Sequence, residues 1–157
     1  MTKYCGIDCG VTGAIGFSSG HYAKMPVINH PIDNKKVVSF YGVFKILSEE
    51  KPDVIIIEEQ APQGNKTSRI ACFTMGRNYE SLLQGVAEFA EMNTVKIIMV
   101  KPAHWKKIMG VETEKTVKDK KAKTFILVKQ VFGIDLPKSY DGVADALAIA
   151  EYGRRKY

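Results

Sequence analysis

Cysteine is scarce in this chain: Cys5, Cys9 and Cys72 are odd in number and form no C-x-x-C pair. A disulfide framework is therefore excluded as the source of stability, and a reduced, cytoplasmic protein with buried thiols is the expectation. Histidine is equally sparse. His21, His30 and His104 are scattered, so a zinc site built on Cys5 and Cys9 would lack further ligands. No apolar run is long enough for a membrane span, and the opening MTKYCGIDCG has no signal-peptide core. Repeats, low-complexity tracts and linkers are absent too. The simplest expectation is one domain over residues 1–157, large enough to bury a proper core.

Positive charge, by contrast, is plentiful. The 157 residues carry a net charge of +6 and a pI near 9.2, which favours a polyanionic partner. Periodicity supplies the elements. KYCGIDC (3–9), GAIGFSS (13–19) and HYAKMPV (21–27) read as strands joined by tight turns. In 35–50, Val37, Phe40, Val43, Phe44 and Leu47 share one face of an amphipathic helix. DVIIIEE (53–59) is continuously apolar, as suits a strand buried on both faces. A long helix over 68–92, a strand over 95–100, a lysine-rich helix over 114–131 and a closing helix over 139–153 follow. A meander succeeded by alternating helices and strands predicts an α/β fold, with helices flanking a central mixed five-stranded sheet.

Within that order the acids stand out. Asp141 and Asp145 are four apart at the start of the closing helix, ahead of the apolar stretch Ala146–Ala150. Like charges at that spacing cost helix stability. Asp8 lies near the end of the first strand, before the glycine turn CGVTG, and Glu58 and Glu59 end the strand 53–59. Ligands of open α/β sheets gather at the carboxyl ends of strands. If the two strands are neighbours, Asp8 and one glutamate sit side by side, and the closing helix adds its two aspartates. Such a cluster repels itself without cations. Two Mg²⁺ or Mn²⁺ ions, roughly 3.5–4 Å apart, would neutralise it and are the usual machinery of phosphodiester cleavage. Oxygen-only donors suit these hard ions. Singly, Asp141 could serve the helix dipole and Asp8 the turn at Gly10; the conjunction favours chemistry.

GIDCGVTGAIGF, IIIEEQ, KPAHWKKIMG and DGVADALAIAEYG, in this order and spacing, resemble the RuvC-type Holliday junction resolvases, especially their phage-encoded and chloroplast branch. The resemblance spans residues 3 to 153. It implies a ribonuclease-H-like fold, a homodimer, and metal-dependent nicking of two opposed strands at a four-way DNA junction, in the host cytoplasm if phage-encoded. It further implies that Asp8, Asp141, Asp145 and one glutamate hold the metals. The family's "EQ" matches Glu59-Gln60, which favours Glu59 and turns Glu58 to the opposite strand face. Three departures stand beside it. The last two acids are four apart where bacterial members commonly have three. Pro62 replaces an aromatic wedge, and Cys9 stands where proline is usual.

Basic segments supply the expected DNA contacts. PQGNKTSR (62–69) leaves the strand carrying Glu59, so Lys66 and Arg69 can meet phosphates, with Gln63, Asn65, Thr67 and Ser68 as donors. It lacks the spacing of a Walker loop despite Lys66-Thr67. HWKK offers Lys106 and Lys107, with Trp105 read as a packing residue. EKTVKDKKAK (114–123) reads largely as a solvated face. The resemblance singles out Lys121 as a catalytic lysine stabilising phosphate charge, with Lys118 as the fallback. It also implies that helix 68–92 builds the dimer interface, where Gly76, Gly85, Ala87 and Ala90 would permit close approach. GIDCGVTGA is similar as well to the first phosphate turn of sugar kinases and actin-like ATPases. Those need two such domains and an adenosine motif, which nothing after residue 100 supplies. A non-catalytic branched-DNA binder would not need all four acids, and a nuclease preferring flaps or forks would differ only in loops and dimer spacing.

Overall fold

The computed structural model describes residues 1–60, 68–112 and 117–157, with the backbone alone for 117–122. Its main sheet has the order β3-β2-β1-β6-β7. β1 (Tyr4–Asp8) lies antiparallel to β2 (Ala14–Phe17), which continues to β3 (Tyr22–Lys24) at one edge. The segment expected as one strand over 21–27 divides. Val27–Asn29 (β4) instead pairs with Lys36–Val38 (β5) in a separate two-stranded sheet. The helix expected from residue 35 therefore begins later, as α1 (Phe40–Glu50), with the Ser39 hydroxyl accepting from the Gly42 amide as its N-cap. Helical spacing of Val37 with Phe40 misled here, because both Val37 and Val38 are buried from the strand.

β6 (Val54–Glu58) and β7 (Lys96–Val100) lie parallel to β1, reached through α1 and α2 (Arg69–Met92). α3 (Pro102–Ile108), which the sequence reading left unassigned, starts directly after β7 with Pro102 at its first turn. α4 (Val117–Phe132) and α5 (Asp141–Lys156) complete the chain. Strand alternation divides the core. Cys5, Ile7, Ile55 and Ile57 face α1 and α2, joining Val43, Leu47, Leu82, Val86 and Phe89. The even-numbered residues face α5.

α5 lies very close to the sheet. A Cβ on Gly6 would sit 2.3 Å from the Ala146 carbonyl oxygen and 2.3 Å from the Ala150 nitrogen, and one on Gly16 2.7 Å from the Leu147 nitrogen. Glycine on the strands and alanine on the helix thus let backbone approach backbone. Eleven α5 residues from Gly142 to Gly153 are buried. Its register against β1 and β2 is thereby fixed, and with it the position of Asp141 and Asp145.

Candidate active site

The sheet register brings the acids together. Asp8 pairs with Ala14 of β2, while Ile7 pairs with Ile57 of β6, so Asp8 and Glu58 are the next neighbours on adjacent parallel strands. Both side chains point to the α5 face. There α5 presents Asp141 in its first turn and Asp145 one turn later. Gly142 makes the close approach possible: a Cβ there would lie 2.5 Å from the Thr12 carbonyl oxygen and 3.1 Å from Asp8 Oδ2.

The sequence reading favoured Glu59 over Glu58, and the placement is the reverse. Glu59 follows Ile57 in alternation and so turns to the α2 face, near Tyr79, whose hydroxyl pKa is raised by burial first and then by Cys9 and Glu59, against a hydrogen bond from the Gln60 backbone. The "EQ" match was a sound similarity, but strand register decides the face, and a shift of one residue inverts it.

Electrostatics ties the cluster together. Burial, then Asp145 and Glu58, push the Asp8 carboxyl well above the usual carboxylate range; Lys106 opposes this and Asp141 adds to it. Burial also raises Glu58, with the Trp105 indole and Lys106 pulling the other way. Asp145 is raised by burial and Asp141 against the pull of Lys106 and a Thr124 hydrogen bond. Water is partly excluded, so each charge feels the others strongly.

Two residues of α3 serve these acids in ways the sequence reading missed. Trp105, fully buried, donates its indole N–H to Glu58 Oε2 at 2.5 Å. It packs among Ile56, Val100, Ile149 and Tyr152, so the packing role expected of it holds and a polar one is added. Lys106, expected on DNA, stands 3.6 Å from Asp145 Oδ2. The signal was available: HWKK directly follows a strand whose neighbour carries the glutamates.

Among the described residues no three His, Cys, Asp or Glu side chains are gathered closely enough to hold an ion as they stand. The donor set nonetheless fits hard divalent cations. It is all oxygen, and three of its carboxyls are raised first by burial and then by their neighbours' charge, both of which a bound cation would offset. Arg69 opens α2 and Lys107 is exposed on α3. Lys66 and the other residues of 61–67, Pro62 included, lie outside the described residues, as do the side chains of Lys118 and Lys121.

Ile70 and Phe73 on α2 are 77% and 74% exposed, whereas Leu82, Val86 and Phe89 of the same helix are core. Gly85, expected to ease contact between subunits, is used within the chain: its Cα packs where a Cβ would meet the Phe40 carbonyl and Val43 of α1.

No family model matches this sequence, and no curated protein does either. Solved structures do resemble it in fold. RuvC of T. thermophilus in complex with a Holliday junction substrate superposes with a TM-score of 0.64 at 17% identity, covering 99% of this chain and 96% of that one. The fowlpox virus Holliday junction resolvase gives 0.56 at 12% identity, with 99% and 100% coverage. The yeast mitochondrial Holliday junction resolvase gives 0.51 at 16%, with 96% and 77%. The chain has the ribonuclease-H-like fold that these proteins share.

Proposed function

We propose that this chain is a metal-dependent endonuclease that resolves four-way DNA junctions by paired nicks on opposed strands, akin to the phage-encoded and chloroplast branch of the RuvC-type enzymes. The observation that carries the reading is the meeting of Asp8, Glu58, Asp141 and Asp145 at the sheet's carboxyl end, in a chain of net charge +6. The fold it shares with three junction resolvases supports the choice of substrate.

In this reading the four carboxylates hold two Mg²⁺ or Mn²⁺ ions, which when bound would activate water and neutralise charge on the scissile phosphate. Asp8 and Glu58 provide the fixed side of the site from adjacent strands. Asp141 and Asp145 provide the other from α5, whose burial prevents it from yielding. Trp105 orients Glu58 through its indole N–H. Lys106 balances Asp145 and lies where it can meet a phosphate oxygen. Arg69 and Lys107, with Lys66 and Lys118, anchor flanking phosphates, and Lys121 is the further candidate for stabilising transition-state charge.

A homodimer completes the proposal. The exposed Ile70 and Phe73 form an apolar patch on α2 that a second copy would cover, and a two-fold axis suits two symmetric scissile phosphates. Sedimentation at micromolar concentration should show a dimer.

Cleavage of a panel of branched DNAs with strand mapping tests the whole. Asp8→Asn, Glu58→Gln, Asp141→Asn and Asp145→Asn should each abolish Mg²⁺-dependent cleavage and leave junction binding intact, while Glu59→Gln keeps its activity. An inactive Glu59→Gln beside an active Glu58→Gln would restore the assignment made from the sequence.

A further inference from the structure

Beside the carboxylates lies a cavity of about 200 Å³ bounded by Val11, Thr12, Gly13, Lys24, Ser139 and Tyr140. Its place in the sheet is well defined. Asp8 pairs with Ala14, and Ala14 pairs in turn with Lys24. Lys24, Ala14, Asp8 and Glu58 therefore form one row across the sheet, all on the α5 face. Ala14 is buried against Val143, Ala144 and Leu147 of α5, which fixes that face. Lys24 and Asp8 are two strand spacings apart, about 10 Å between their Cα atoms. The Lys24 ammonium rests 3.9 Å from the centre of the Tyr140 ring, and Tyr22 meets the same ring edge-on at 6.4 Å. Tyr140 immediately precedes Asp141.

We propose that this cavity is a nucleotide subsite, in which the cut DNA strand places a phosphate beside the scissile one on Lys24 and stacks the attached base on Tyr140. This rests on the nuclease reading above and names how the strand is threaded through that site. The chemistry fits a nucleotide on each side. An ammonium and the hydroxyls of Thr12 and Ser139 suit a phosphate and sugar, and an aromatic face beside them suits a base of any sequence. In the free protein the cation occupies the ring. DNA offers each partner a replacement: the phosphate takes the ammonium, and the base takes the ring face that the ammonium leaves. Lysine on an edge strand also discourages sheet-to-sheet pairing, but that role predicts no dependence of DNA binding on Lys24.

The test uses the full-length protein and a four-way junction of synthetic oligonucleotides carrying 2-aminopurine next to the mapped cut or, as a control, in a distant arm. Binding is measured in EDTA across a salt series, and cleavage in Mg²⁺ at saturating protein. Lys24→Gln, on an exposed edge position, should weaken binding and make the log–log salt slope shallower by about 0.9. Tyr140→Leu should weaken binding by roughly 5- to 150-fold and abolish quenching of the base beside the cut but not of the distant one. Tyr140→Phe should restore both. Thermal melts establish that each variant is folded. If wild type cuts the junction while Lys24→Gln keeps the wild-type slope and affinity, the subsite is overturned and the nuclease reading stands. If wild type neither binds nor cuts branched DNA with Mg²⁺, both fail together.

Discussion

Gly6→Ala is the most incisive perturbation the fold offers, because it adds one methyl where two backbones touch. That methyl would lie 2.3 Å from the Ala146 oxygen and the Ala150 nitrogen and 2.8 Å from the Ile149 carbonyl carbon. All three belong to a helix backbone, so no side chain can swing aside. Relief requires α5 to rise by about 1 Å, at the upper end of the overpacking cost, about 3 kcal/mol. For a chain of this size that lowers the melting temperature by roughly 6–12 °C. The chemical cost is separate. Asp145 precedes Ala146, so the two acids on α5 withdraw from the two on the strands, and a displacement of about 1 Å can cost on the order of 100-fold in rate. Gly16→Ala, with its closest contact at 2.7 Å, should show the same effects in milder form. Calorimetric melts, EDTA binding and single-turnover cleavage under folded conditions separate stability, affinity and rate. A Gly6→Ala protein that melts and cleaves like wild type, or a Gly16→Ala protein damaged more severely, would refute the close-packing argument.

Other expectations concern charge and orientation. In the metal-free protein Asp8→Asn should be more stable than wild type at neutral pH. The folded carboxyl is raised, so its ionisation penalises folding as pH climbs above the unfolded value near 4; the gap should close on acidification, and denaturant titrations in EDTA from pH 4 to 8 would detect it. A gap that is constant with pH would remove Asp8 from the repulsive cluster. Trp105→Phe keeps most of the packing and deletes the N–H on Glu58. Metal affinity should fall by roughly 10- to 100-fold, as read by Mn²⁺ calorimetry; unchanged binding would reduce Trp105 to a packing residue. Because Trp105 is the sole tryptophan, wild-type metal titrations should also appear in its fluorescence.

Much of this was legible in the sequence for physical reasons. Continuous apolar character marks β6 as buried on both faces, and the sheet-end rule draws Asp8 toward the start of α5 from the order of elements alone. The choice between Glu58 and Glu59 was not legible, since it depends on how β6 slides against β1, a pairing across about fifty residues. β4 and β5 were hidden for a related reason. Three-residue strands carry too few alternations to outweigh a neighbouring helical period. The placement of Lys106 near the acids could be read from its position after β7, but its partnership with Asp145 could not, because charge pattern records that lysines are present and not which acid they will find.

The fit of α5 against Gly6 and Gly16 has a kinetic consequence. Half of the candidate carboxylates ride on a deeply enclosed helix, with no slack beneath it, so they cannot part from the other half through a local hinge. The amide protons of Ala146–Ala150 should accordingly exchange with solvent only when the whole molecule unfolds. The four acids then behave as a rigid template. If the proposed nuclease reading holds, adjustment to a branched substrate falls to the chain outside α5 and its two strands.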